Sequence, residues 1–220
     1  MFWTLGLAHL IGDYPLQTDR MVRAKRHWPG LTLHVAIHFA VMLLLTGRDS
    51  LVVWPPLLML AAAHFAIDSF KNLETVRWPQ MVLPPYFVDQ LLHILSIFLV
   101  ARWIETRYGI YRDQPWMIYA AAYLSATHVW FITERIVAYR DAAYRKHIES
   151  HYLARVGVRA LALTVYLLLG RQVWLAVAAP AMATALLPEP YRCSSYCRLM
   201  LLQDVLGPLV LAILVFLLSP

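Results

Sequence analysis

Charge is scarce in this chain. Asp, Glu, Lys and Arg make up 15% of its 220 residues, against about 25% in an average soluble domain. Glycine is low at eight residues, and the only two cysteines are Cys193 and Cys197. These shortages exclude three classes. A disordered chain needs high charge, a collagen-like chain needs glycine at every third position, and a disulfide framework needs more cysteines. There is also no low-complexity run and no repeat of fixed period. What fills the chain is apolar: 60% of residues are hydrophobic and 13% aromatic, and mean hydropathy is +0.57. A globule of 25.3 kDa has too little interior to bury that much apolar surface. The bilayer is the expected solvent.

A membrane-crossing helix needs about 20 mainly apolar residues, or as few as about 17. Segments 2–17, 31–46, 52–70, 85–103, 115–133, 156–187 and 199–218 are the candidates, the first two being short. Segment 156–187 is interrupted by Gly170-Arg171 and Pro180, so it reads either as one kinked helix or as a hairpin of two short ones. The expected fold is an all-α, polytopic transmembrane helix bundle of about seven spans, with six or eight as alternatives. It divides into a membrane domain over residues 1–139, a cytoplasmic amphipathic segment over 140–155 and C-terminal spans in 156–220. Met1-Phe2-Trp3 lacks the basic n-region of a signal peptide and no small-residue cleavage site follows, so the first segment is expected to stay.

The formal net charge is +6. In a soluble protein that would raise nucleic acid as a partner, but Lys and Arg must first be weighed against topology. Arg20, Arg23, Lys25 and Arg26 follow the first segment, Lys71 and Arg77 the third, and Arg135, Arg140, Arg145, Lys146, Arg155 and Arg159 the fifth. The opposite side holds Arg48, Arg102, Arg107 and Arg112, while Arg171, Arg192 and Arg198 depend on how the last third is threaded. By the positive-inside rule the N-terminus is outside and the richer loops are cytoplasmic, which gives a multi-pass protein of the plasma (inner) membrane. The charge is mostly topological and meets anionic lipid, so no nucleic acid is required.

The polar residues left in the apolar segments come in pairs four apart: His9 with Asp13, His34 with His38, His64 with Asp68, and Asp89 with His93. Residues four apart share a helix face, so each pair converges on one point. Nine His and eight Asp would give roughly 1.3 such pairs by chance. Counting His147 with His151 there are five. A single such pair is more often an intrahelical hydrogen bond than a site. With alternating spans, however, all four membrane pairs fall at the cytoplasmic end of the bundle, where five His and three Asp line one cavity.

Intramembrane carboxylates cost about 2.5–3.5 kcal/mol each at a helix centre and need compensation. A divalent metal supplies it, and His nitrogen with Asp oxygen suits Zn, Mn or Fe. Eight candidate ligands, His9, Asp13, His34, His38, His64, Asp68, Asp89 and His93, are enough for one or two ions, some of them orienting others. Asp13 and Asp68 are also catalytic candidates. Lys71 lies on or near the Asp68 face and either holds a substrate phosphate or neutralises Asp68. Glu134, as acid or base, and Arg135, as a substrate clamp, sit at the same depth, although an interfacial ion pair is an ordinary alternative. Gln17 either binds substrate or caps its helix. His128 reads as packed or pore-facing, His147 and His151 as solvated on an amphipathic helix, and Cys193 with Cys197 as a pair that does not by itself make a zinc site.

Ala8-His9-Leu10-Ile11-Gly12-Asp13-Tyr14-Pro15-Leu16-Gln17, Leu33-His34-x3-His38, His64-x3-Asp68-x2-Lys71 and Asp89-Gln90-x2-His93 together resemble the bacterial integral-membrane family called domain of unknown function 3307. The similarity covers roughly the first 95 residues, and Thr133-Glu134-Arg135 resembles a short Glu-Arg motif near the end of that domain. The resemblance implies a membrane protein whose motifs act as one unit. The His-x3-His and His-x3-Asp elements are also faintly similar to metal-dependent hydrolases of the bacterial inner membrane. That family's His-Arg-x2-Thr-His box is replaced here by Leu33-His34-Val35-Ala36-Ile37-His38.

The expected function is a metal-dependent membrane hydrolase acting on a lipid-linked phosphoester. The alternatives are a divalent-metal or proton transporter using the same residues, a di-iron enzyme, for which the usual adjacent His-His pairs are missing, and a non-catalytic membrane protein whose polar pairs fix helix packing.

Overall fold

The computed structural model describes residues 1–78, 80–111, 113–169 and 197–218. Every regular element among these described residues is helical. The chain splits into two compact units, Met1–Met117 and Ile118–Pro220.

The first unit holds α1 (Phe2–Asp13), α2 (Asp19–Ala24), α3 (Trp28–Thr46), α4 (Ser50–Arg77) and α5 (Leu83–Tyr108). Local chemistry sets these boundaries. Pro15 ends α1 within two residues of Asp13, because a proline cannot donate into the ladder and disfavours helix in the residue before it. Thr18 caps α2 by accepting the Met21 amide. Pro29 starts α3, and Pro84 and Pro85 lie in the first turn of α5, where the missing amide hydrogen costs nothing. Gly47, at φ 62°, closes α3 in a conformation that Cβ disfavours elsewhere, and one 3₁₀ turn leads into α4.

In this unit α1 packs on α3 and α5, and α4 packs on the same two, so the four helices close a ring. The interior is graded along its length. Toward one end lies an apolar layer built from Leu5, Val53, Leu57, Ile97 and Ile104 among others, capped by the Met1 ammonium on Glu105 and Asp113. The other end carries all eight paired His and Asp residues, every one of them buried. The order reverses from helix to helix: apolar then polar in α1 and α4, polar then apolar in α3 and α5. The outward faces are apolar too, with Leu44 78%, Leu51 81% and Leu91 64% exposed. Among the described residues, three helical stretches, Trp28–Arg77, Leu83–Tyr108 and Tyr152–Leu169, are long and apolar enough to cross a membrane. The first comprises α3 and α4 with the Gly47 turn between them. The expected opening span 2–17 is helical only over 12 residues.

The second unit contains most of α6 (Pro115–Leu124), then α7 (Trp130–Val137), α8 (Ala142–Ser150), α9 (Tyr152–Leu169) and α10 (Cys197–Leu218). The expected span 115–133 is two α-helical pieces joined by a π turn, Ser125–Val129, where the Thr127 hydroxyl donates to the Tyr123 carbonyl at 2.6 Å. Asp141 caps α8 by accepting the Tyr144 amide. The expected break at Gly170-Arg171 and Pro180, and Cys193, lie outside the described residues.

The core of this unit includes a closed set of ions. Arg155 donates to Asp204 through Nε (2.7 Å) and Nη2 (2.8 Å), and to Glu134 through Nη1 (2.9 Å). Arg159 donates to Glu134 through Nη2 at 2.8 Å and to Asp204 through Nε. All four side chains are buried. Counting Arg155 and Arg159 as loop charges is thereby corrected: both sit inside the helical packing, where two guanidinium groups offset two carboxylates.

Candidate metal centre

Each of the four ring helices contributes one i,i+4 pair, and helix geometry turns both members of each pair inward. Asp13 Oδ1 lies 3.2 Å from His34 Nε2 and 3.3 Å from His38 Nε2, and His34 Nε2 lies 3.3 Å from His64 Nε2. His93 Nε2 lies 3.5 Å from Asp89 Oδ1 and 3.6 Å from Asp68 Oδ1. Between these groups, the His9 ring centroid is 4.8 Å from that of His93 and 5.5 Å from that of His64.

These separations decide what kind of contact the residues make. A charge-assisted N–H···O bond measures about 2.7–2.9 Å, whereas two donors sharing one tetrahedral ion at about 2.0–2.1 Å stand about 3.3 Å apart. The observed spacings of 3.2 to 3.6 Å fit a shared ion better than direct hydrogen bonds. The satisfaction of the polar atoms agrees. His9 Nε2, Asp13 Oδ1, His38 Nε2, Asp89 Oδ1 and His93 Nε2 are buried without a hydrogen-bond partner. Leaving one such group unsatisfied costs about 1–3 kcal/mol, and an ion shared among the five would satisfy them together. The donors form three sets able to hold a metal ion: Asp13, His34, His38 and His64; His9, His64 and His93; and Asp68, Asp89 and His93.

Close packing fixes the cluster. Gly12 lies so near the His38 imidazole that a Cβ there would overlap the ring. Beside the rings a small cavity is lined by His9, His38, His64, His93, Ser96 and the apolar end of the bundle.

Two cations border the cluster. Lys71 does not pair with Asp68, as its spacing invites, but with Asp89 Oδ2, which also accepts from Gln90 Nε2 at 3.0 Å. Asp68 Oδ2 is met instead by Lys25 Nζ at 3.2 Å. Lys25 carries a second role that its place in a basic loop conceals; only the structure brings the end of α2 over α4. Gln17 donates to the Asp13 carbonyl at 3.0 Å, a helix-end contact.

The remaining candidates lie in the second unit. Glu134 is fully engaged by Arg155, Arg159 and the Tyr144 hydroxyl, which donates at 2.7 Å. Burial, reinforced by that carboxylate, holds the Tyr144 phenol protonated well above its ordinary range. Arg135 forms a half-exposed ion pair with Glu149 at 2.8 Å. His147 and His151 contact each other, with His151 Nδ1 against the His147 carbonyl at 3.0 Å. Asp204 escaped the sequence reading, although an aspartate within the apolar segment 199–218 was the available signal.

Searches among curated proteins and among solved structures return no significant match. A family model does match, over residues 1–113, which takes in α1 to α5, all eight buried donors and both bordering lysines, and which stops short of Glu134 and Arg135. The chain belongs to the family described as Protein of unknown function (DUF3307).

Proposed function

We propose that this protein is a metal-dependent hydrolase of the bacterial inner membrane, with its site at the cytoplasmic end of α1, α3, α4 and α5 and a lipid-linked phosphoester as substrate. The reading rests chiefly on the donor spacing: eight buried His and Asp side chains from four helices stand at distances suited to shared ions and too long for strong hydrogen bonds.

Two ions fit the donor sets. Asp13, His34, His38 and His64 make a complete four-ligand shell. Asp68, Asp89 and His93 make a three-ligand shell, the number that leaves a position open in catalytic zinc sites. Zinc, manganese and iron all accept this mixture of imidazole and carboxylate. Bound divalent ions would supply Lewis acidity and lower the pKa of a water. The chain's own residues then divide the remaining work. His9 stands between the two sets, Asp68 and Asp89 link the interior to Lys25 and Lys71, and those ammonium groups face an anionic oxygen.

Membrane placement is supported by helix length and by what the helices turn outward. The 26 residues of α5 extend about 39 Å at 1.5 Å each, enough to cross about 30 Å of hydrocarbon. The Lys and Arg distribution favours an outside N-terminus, and the apolar segments favour about seven spans. Transport is the weaker reading, because Leu5, Val53, Leu57 and Ile104 form an apolar layer across the bundle beside the cluster.

The test is metal analysis of detergent-purified protein, with His64→Ala and Asp68→Ala alongside, joined to a phosphate-release assay on lipid phosphoesters. One to two ions per chain, lost in both variants together with lipid turnover, is the expected result. Wild-type protein that holds no metal but keeps turning over lipid overturns the proposal, and metal flux into proteoliposomes without turnover replaces it with transport.

A further inference from the structure

Lys25 and Lys71 have a relationship to the metal set that topology does not require. Asp68 and Asp89 each turn one carboxylate oxygen toward His93 and the other toward a lysine. Lys71 therefore borders the three-donor set, the one with an open position, and Lys25 stands where that set adjoins the other, since the same Asp68 Oδ2 lies 3.5 Å from His34 Nε2 and 3.7 Å from His64 Nε2. Their side chains are 12% and 28% exposed, so they stand where the buried cluster meets its surroundings. The Lys71 ammonium also lies 5.8 Å from the centre of the Tyr86 ring, whose face holds a cation in place.

The turn that carries Lys25 is built to hold it there. The Lys25 carbonyl accepts a 2.8 Å bond from Asn72 Nδ2, which fastens the end of α2 to α4 one residue beyond Lys71. Gly30 lies against the Ala24 carbonyl so closely that no Cβ fits. A lysine that served only to orient the membrane insertion would need neither constraint.

We infer that Lys25 and Lys71 form a two-cation clamp for the phosphoryl group of the substrate, and that this group is a terminal phosphate monoester rather than an internal diester. The inference rests on the metal-centre reading above. Charge carries it. Two divalent ions against three aspartates leave one positive charge, and the lysines raise the surplus to three. A dianionic monoester offsets two of these, a monoanionic diester only one. Bound ions would take up the charge of Asp68 and Asp89, which would free the Lys25 and Lys71 ammonium groups to donate to phosphate oxygens in place of carboxylate oxygens. No bond to phosphorus need change for this step, so it can be measured as binding alone.

The experiment titrates metal-loaded, detergent-purified protein with orthophosphate by calorimetry and determines metal content in the same samples. Lys25→Gln and Lys71→Gln should each weaken orthophosphate binding by about tenfold to hundredfold with metal content unchanged. Lys25→Arg, which keeps the charge, should retain most of the affinity. Gly30→Ala, which displaces the turn and removes no charge, should weaken binding as Lys25→Gln does. Dimethyl phosphate, a monoanionic diester, should bind at least about tenfold more weakly than orthophosphate.

Displacement of orthophosphate by phosphatidic acid in mixed micelles supports a lipid monoester, and displacement by glycerol phosphate alone supports a water-soluble one. Unchanged affinity in both lysine variants at full metal content overturns the clamp and leaves the metal centre standing. Equal binding of dimethyl phosphate overturns the monoester assignment. Wild-type protein without metal overturns the proposed function and the clamp together.

Discussion

Gly12 and the His38 imidazole are in such close contact that the space for a single methyl group is already taken by the ring. Glycine here serves the approach of α1 to α3, since both residues lie in regular helix. Gly12→Ala must move the imidazole or separate the two helices, and either displaces His38 Nε2 from its 3.3 Å position beside Asp13. Metal affinity is expected to fall about 10- to 100-fold, the usual cost of disturbing the groups that orient a ligand. Competitive titration with a calibrated chelator measures it, and wild-type affinity in Gly12→Ala removes the packing argument.

Metal binding should also stabilise the fold. The unpartnered donors of α1, α3 and α5 belong to the folded state, because no unfolded chain gathers them. At a free ion concentration of 100 times the dissociation constant the gain is about 2.7 kcal/mol. Stripping with chelator should therefore lower the unfolding temperature of wild-type protein by several degrees, and restoring the ion should reverse it. His38→Ala should unfold at a temperature that chelator shifts little. A wild-type transition indifferent to both chelator and added ion would argue that the donors hold nothing.

The i,i+4 pairs were legible before any coordinates because helix periodicity alone puts both members of each on one face. Antiparallel alternation of four helices then puts the faces at one end, as α1, α3, α4 and α5 do. What periodicity does not carry is contact between residues distant in sequence. Lys25 reads as one more loop cation, and only the Asn72 bond and the Gly30 contact bring it to Asp68. Arg155 and Arg159 likewise read as loop cations, since their partners Glu134 and Asp204 lie 21 to 49 residues away. Helix α1 was expected to run to Gln17, but the chain leaves the helix after Asp13, near Pro15.

Topology offers a separate test. With an outside N-terminus, the turn bearing Arg20, Arg23, Lys25 and Arg26 faces the cytoplasm, and Gly47 to Asp49 face the periplasm. In a Cys193→Ser/Cys197→Ser background, Arg23→Cys should react with a membrane-impermeant maleimide only after the cells are permeabilised, and Asp49→Cys should react in intact cells. The reverse pattern inverts the bundle and places the metal centre at the periplasmic face.

Glu134 separates two readings of its own. As a catalytic acid or base its loss would lower turnover and leave the fold intact. The structure engages it with Arg155, Arg159 and Tyr144, all buried, so Glu134→Gln leaves two guanidinium groups facing the single carboxylate of Asp204. Breaking one partner out of a buried ion set costs about 3–5 kcal/mol, because one surplus charge is left away from water with no counter-ion of its own. Asp204→Asn should cost about as much for the same reason, whereas Tyr144→Phe removes the hydroxyl's 2.7 Å bond to Glu134 and should cost about 1–2 kcal/mol. Unfolding in detergent, followed by the loss of helical circular dichroism, ranks the three. If Glu134→Gln and Asp204→Asn unfold like wild type while lipid turnover is lost in Glu134→Gln alone, the quartet is no structural clamp, and Glu134 returns to the candidates for chemistry.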